Sequence, residues 1–229
     1  MSGEKKGYIY KEVDGGGKEF FSMIIYRPLA RFLLLSIFRF TSITPNQITL
    51  ISLCFAIVAA LYLAFFTYPA IILALLFLHL TYTFDMLDGV YARYKGLTSK
   101  LGKWFDSFVD LIKLSAIFIS LNYAAYKAEN KIMVFIWGML ATTNVFLSVY
   151  LLNTRDQLMK IPPFEVKFGK NIYFGFEISL YWIISLFVLF NKIYAGLIFL
   201  GTAGILLWLK PYITLMRYYK RHKEEIEKV

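Results

Sequence analysis

The chain has 229 residues, of which 59% are hydrophobic, 19% aromatic and 17% charged. Ordinary soluble domains carry about 25% charged residues, so this composition excludes a large soluble domain and predicts an all-α integral membrane protein. The net charge of +10 points to topology rather than to nucleic acid: twenty of the 25 Lys and Arg residues fall before residue 46, between 91 and 103, between 155 and 170, and after 216. These clusters alternate with weakly charged ends such as Thr67-Tyr68 and Asn191-Lys192, which places all four on one side, expected to be the cytoplasm. Basic residues so dispersed form no single nucleic-acid-binding face. A lone cysteine, Cys54, excludes a disulfide scaffold.

In chain order, residues 1–17 lack an apolar period and signal-peptide order and are expected to form a mobile N-terminal tail. Residues 18–44 predict an interfacial amphipathic helix. From Phe20 to Phe40 apolar side chains run in helical phase with Arg27, Arg31 and Arg39, interrupted by Pro28. Residues 45–216 then predict a six-helix transmembrane domain, with spans at 46–66, 69–90, 103–126, 131–153, 172–190 and 193–216. Residues 217–229 form a charged cytoplasmic tail that continues the last helix into water. An even number of spans leaves both termini on the cytoplasmic side.

The chemistry concentrates at two span ends. An ionised Asp at mid-bilayer costs about 2.5–3.5 kcal/mol on insertion scales, yet Asp85 and Asp88 close the second span and Asp106 and Asp110 open the third. Spacings of i, i+3 and i, i+4 put each pair on one helical face, and the short link brings the pairs together. Four carboxylates in a poorly solvated pocket repel one another unless positive charge compensates them, and two divalent ions would balance the four charges. Oxygen-only ligands favour Mg²⁺, Ca²⁺ or Mn²⁺ over Zn²⁺. The histidines His79 and His222 lack ligand spacing, and His79 is read as a hydrogen-bonded packing residue.

Gly89, Ala92 and Gly102 flank the acids and let a bulky ligand approach the backbone, while Arg93 offers a guanidinium fork suited to phosphate. Together these residues describe a site for a polyanion such as a pyrophosphate. Three other readings stand beside it: an ion or proton relay in a transporter, helix packing for the glycines, and an interfacial anchor for Arg93.

In full, Asp85-Met86-Leu87-Asp88-Gly89-Val90-Tyr91-Ala92-Arg93, eight residues, then Gly102-Lys103-Trp104-Phe105-Asp106-Ser107-Phe108-Val109-Asp110 resembles the signature of the CDP-alcohol phosphotransferases at every fixed position. Thr44-Pro45-Asn46 at the start of the first span is similar to the family's Thr-Pro-Asn motif, although Pro45 also suits a helix start.

The resemblance implies a homodimer of six-helix subunits that transfers a substituted phosphate from a CDP-linked alcohol to a hydroxyl acceptor and releases CMP. It implies two ions, Mg²⁺ or Mn²⁺, held by Asp85, Asp88, Asp106 and Asp110, with Asp110 also the catalytic general base. It assigns Asn46, Asp88, Gly89, Ala92, Arg93 and Gly102 to the nucleotide. Many relatives carry a basic or small polar residue directly after the last Asp, whereas this chain has Leu111, so its acceptor pocket is expected to differ.

Lys113, three residues after Asp110, is expected to pair with the acids, to reach an anionic acceptor, or to snorkel. Arg155, with Lys160, Lys167 and Lys170, marks a basic loop suited to a phosphorylated acceptor, or serves topology alone. Glu177 is read as a core or dimer contact. Tyr173, Phe174, Tyr181 and Trp182 are read as a lipid-facing belt and packing. Tyr26-Arg27-Pro28-Leu29-Ala30-Arg31 looks like the pre-span helix of members that make inositol phosphodiesters or phosphatidylinositol-type headgroups, with no fused cytidylyltransferase expected here.

Overall fold

The structure, a computed structural model, describes residues 20–159, 165–168 and 172–222, with side chains described over 20–155 and 179–222. The expected tail at 1–17, the charged end at 223–229, Lys160 and Lys170 lie outside the described residues, as do the side chains of Lys167, Tyr173, Phe174 and Glu177.

The N-terminal segment is a π-helical turn over Ser22–Tyr26, α1 over Arg27–Ser36 and a 3₁₀ turn over Phe38–Phe40. Pro28 lies in the first turn of α1, where its missing N–H is tolerated; it starts the α-helix rather than interrupting one. Ahead of it Arg27 N–H bonds to Ser22 O, and the turn widens to π geometry. Tyr26, Ala30, Leu34 and Phe38 are buried at i, i+4 spacing, while Leu29, Phe32, Ile37 and Phe40 face outward.

The long helices follow: α2 over Pro45–Phe65, α3 over Tyr68–Lys95, α4 over Lys100–Glu129 and α5 over Met133–Met159. Thr44 caps α2 in a reciprocal capping box with Gln47, with Pro45 at the first position. Small buried residues Ala56, Ala59 and Ala60 on α2 and Ala74 on α3 allow close helix approach, and α2 lies against both α3 and α4.

After α5 the chain departs from the expected all-α pattern. Strands β1 (Glu165–Phe168) and β2 (Ile172–Gly175) pair antiparallel, with Val166 opposite Phe174. The β-branched and aromatic residues Val166, Phe168, Ile172, Tyr173 and Phe174 favour strand pairing over helix here. The predicted span at 172–190 therefore begins as a strand and continues as α6, Phe176–Leu189, of 14 residues, about 21 Å long. The last segment comprises α7 (Ile193–Thr202) and α8 (Gly204–Arg221).

Among the described residues, five helical segments are long and apolar enough to cross a membrane: Pro45–Phe65, Tyr68–Lys95, Lys100–Glu129, Met133–Arg155 and Ile193–Arg221; α6 is a shorter apolar helix. Large apolar side chains such as Leu61, Ile119, Met139 and Leu206 face outward. Such a surface suits lipid, and the chain is an integral membrane protein.

The break between α7 and α8 is held from α5. Buried Asn144 donates from Nδ2 to the carbonyls of Leu200 (3.1 Å) and Gly201 (2.9 Å), and its Oδ1 accepts from Trp208 Nε1 at 3.0 Å. A Cβ on Gly204 would lie 2.9 Å from Asn144 Cβ, so Gly204 permits the approach. Replacing Asn144 with Leu leaves these groups without that partner in an apolar setting, at a cost of about 1–3 kcal/mol. Thermal unfolding in detergent is expected to show a lower midpoint for Asn144→Leu than for a surface control such as Thr143→Ala.

Candidate active site

The acidic segment is helical throughout. The structure extends α3 past the predicted end at residue 90 to Lys95, and Gly96 closes it with φ +69°, a left-handed conformation that glycine adopts without strain. Its N–H and that of Leu97 bond back to the last turn of α3. The link to α4 is four residues in all, Gly96 to Ser99, and Ser99 Oγ accepts from Gly102 N at 2.9 Å as the N-cap. This tight connection brings the end of α3 beside the start of α4.

Asp85, Asp88 and Asp106 thereby converge, with one carboxylate oxygen from each within 4.8 Å of the others. Asp88 is 6% exposed, and its Oδ2 accepts a hydrogen bond from Thr49 Oγ1 on α2. Asp110 stands outside that trio: its Oδ1 accepts from Lys113 Nζ at 2.9 Å, and the same ammonium donates to Asp85 Oδ1. Of the alternatives for Lys113, the structure shows pairing with the acids, on a side chain 1% exposed. An all-carboxylate donor set converging in this way fits a hard divalent cation such as Mg²⁺ or Mn²⁺.

Two spaces flank the carboxylates. One is a cavity of about 360 Å³ lined by Asn46, Thr49, Asp88, Gly89, Ala92, Arg93, Gly102 and Asp106, with Pro45, Lys103 and the connection Leu97–Ser99 completing its wall. Every residue that the resemblance assigns to the nucleotide is therefore on one cavity. A Cβ on Gly89 would approach the Arg93 guanidinium at 3.4 Å, and one on Gly102 would lie 3.0 Å from Ser99 Oγ and 3.7 Å from Asn46 Oδ1. The glycines keep this wall low. The other space is a narrow slot lined by Asp85, Asp110, Tyr82, Leu114, Val149, Leu180 and Tyr181.

Elements outside the motif hold it in place. Tyr91 Oη donates to Ile43 O at 2.9 Å, and Lys95 Nζ donates to Arg39 O at 3.2 Å, fixing the chain between α1 and α2 against α3. His79 is hydrogen-bonded to Tyr26 Oη at 2.6 Å and Ser185 Oγ at 3.2 Å, the expected packing role. Of the belt and packing roles expected for Tyr181 and Trp182, the structure shows packing. Tyr181 is 8% exposed and packs on Tyr82, while Trp182 stacks on Phe21. Their rings fill the gap between α3 and α6, where burial outweighs an interfacial position.

Arg155 is buried on α5 and is not among the residues lining the cavity or the slot. Sequence alone gives Thr49 and Tyr82 no site role, and reads Tyr181 as belt and packing rather than as part of the site. Thr49 follows Asn46 by three residues, a same-face spacing that would have linked it to the Thr-Pro-Asn motif. Tyr181 meets the slot only through tertiary packing.

In fold, the chain is similar to solved structures of the phosphatidylinositol phosphate synthase of Mycobacterium tuberculosis. The form with CDP-DAG bound gives a TM-score of 0.62 at 18% identity over 83% of this chain and 92% of that one. The complex with manganese and citrate gives 0.61 at 19%, over 84% and 89%, and the apo form 0.59 at 20%, over 82% and 95%. A comparison with curated protein sequences finds no match. The family model for CDP-alcohol phosphatidyltransferase matches residues 42–216, a stretch that contains the converging carboxylates and both flanking spaces. The chain belongs to the CDP-alcohol phosphatidyltransferase family and is a membrane-bound transferase of substituted phosphate groups.

Proposed function

We propose that the chain transfers the phosphate-linked alcohol of a CDP-alcohol to a hydroxyl acceptor with release of CMP, in the synthesis of phospholipid headgroups of the inositol-phosphate type. The observation that carries this reading is the position of the carboxylates between a cavity and a slot, which suits a donor on one side and an acceptor on the other. The nucleotide lies in the cavity, with Arg93 on its phosphates and Asn46, Gly89, Ala92 and Gly102 forming the walls.

Asp85, Asp88 and Asp106 hold a divalent ion, Mg²⁺ or Mn²⁺, with Asp110 the remaining member of the expected set. A bound ion there neutralises the charge that grows on the phosphoryl oxygens and on departing CMP. From the slot, the acceptor oxygen forms a bond to the alcohol-bearing phosphorus as the bond to the CMP oxygen breaks, and Asp110 takes the acceptor's proton. Lys113 fixes one oxygen of that carboxylate, so the base is oriented before the acceptor arrives.

CDP-diacylglycerol heads the candidate donors, because CDP-DAG is bound in a structure of similar fold. The acceptor carries a hydroxyl and, in this reading, a phosphate drawn by the positive charge of Arg155 and of the basic segment after α5; Arg155 acts at a distance, since it lines neither the cavity nor the slot. The active site faces the cytoplasm and both termini lie there, a reading supported by Arg39, Arg93, Lys95, Lys100 and Lys103 at the site's end of the bundle. A sixth crossing by α6, an interfacial position for α1 and a homodimer complete the proposal; the homodimer rests on the family resemblance.

Incubating the purified protein with CDP-diacylglycerol, CDP-archaeol, CDP-inositol, CDP-choline or CDP-ethanolamine and matched acceptors is expected to release CMP from one donor only when Mg²⁺ or Mn²⁺ is present. Absence of CMP with every donor would count against the reading. Asp110→Asn is expected to slow that release by about 100- to 10,000-fold while CDP still binds. Thr49→Val removes the hydrogen bond that orients Asp88 and is expected to weaken Mn²⁺ binding by about 10- to 100-fold, measured by calorimetric titration.

A further inference from the structure

Lys113 holds an unusual position. Its side chain is 1% exposed, and its ammonium donates to Asp85 Oδ1 on α3 and to Asp110 Oδ1 on α4. A lysine buried so completely is sustained only by close, hydrogen-bonded anions, and here both come from the acidic motif. The three carboxylates that converge within 4.8 Å are Asp85, Asp88 and Asp106, with Asp110 outside them. A second divalent ion bridging Asp85 and Asp110 would have to share both carboxylates with the ammonium, which already holds one oxygen of each. It would also sit at contact distance from a like charge in a site poorly screened by water.

Building on the metal-dependent reading above, we propose that Lys113 is the second cation of this site. The chain binds one divalent ion, on Asp85, Asp88 and Asp106, and the Lys113 ammonium takes the place of an ion between Asp85 and Asp110. Charge is compensated on both sides of the cluster: the divalent ion adjoins the cavity, where Asp88 and Asp106 lie, and the ammonium serves the slot, where Asp85 and Asp110 lie. Lys113 is thus a positioning residue, fixing the general base through a covalently tethered charge that cannot dissociate as a metal can.

The test is a count of Mn²⁺ on the detergent-purified full chain at saturating Mn²⁺, without nucleotide, by electron paramagnetic resonance, which also reports spin coupling between neighbouring ions. Wild type and Lys113→Arg are expected to hold one uncoupled ion per chain. Lys113→Met is expected to hold two, with a coupled-pair signal, because both carboxylates are released. Two coupled ions in wild type, or a single ion in Lys113→Met, would overturn the proposal while leaving metal-dependent CMP release intact. Should Lys113→Met fail to fold, the wild-type and Lys113→Arg counts decide alone. Wild type that binds no Mn²⁺ would overturn this proposal together with the metal-dependent reading, an outcome distinct from a count of two.

Discussion

Carboxylates set among apolar helices repel one another and are poorly hydrated, so a bundle that keeps four of them must supply positive charge and hydrogen bonds at the same place. The architecture around the acidic motif answers that constraint. Asp88 is bonded by Thr49, and Asp85 and Asp110 are bonded by Lys113. The remaining negative charge, gathered by the convergence of Asp85, Asp88 and Asp106, suits a hard divalent cation.

Meeting the constraint also orders the surroundings. Because α3 ends at Gly96 and α4 is capped by Ser99, the acids of both helices share one face-to-face junction. The first turns of α2, set by the Thr44 capping box, bring Asn46 and Thr49 to the same junction. Small residues at 89, 92 and 102 then keep the cavity side open, while Tyr82, Leu114 and Tyr181 narrow the opposite side. A roomy space on one side of the acids and a tight one on the other suit a donor and an acceptor held apart, with little water at the reacting phosphorus.

Much of this was legible in the sequence because the signals are local. The i, i+3 and i, i+4 spacings of the acids, the glycines between them and Thr44-Pro45 at a helix start are each settled within a turn or two of chain. The long apolar runs likewise define their own helices. What the sequence did not reveal depends on distant partners. Thr49 reaches Asp88 across 39 residues, Tyr181 reaches the slot from α6, and Asn144 holds the α7–α8 break from α5. The strand pair at 165–168 and 172–175 escaped because its aromatic residues read as the beginning of an apolar span; strand and helix cannot be told apart by hydrophobicity alone over so short a run. Lys113 was placed near the acids by its spacing, but its full burial follows from packing between α3 and α4.

The central claim is that a divalent ion on the α3–α4 carboxylates meets the phosphates of a nucleotide in the adjoining cavity. Electron–nuclear double resonance on the Mn²⁺-loaded protein with CDP bound tests this directly, since coupling to phosphorus-31 appears only when the ion and a phosphate are in contact. The account predicts a clear phosphorus coupling in wild type and its loss in Asp88→Asn. Mn²⁺ bound without phosphorus coupling, or CDP binding unaffected by the ion, would contradict it.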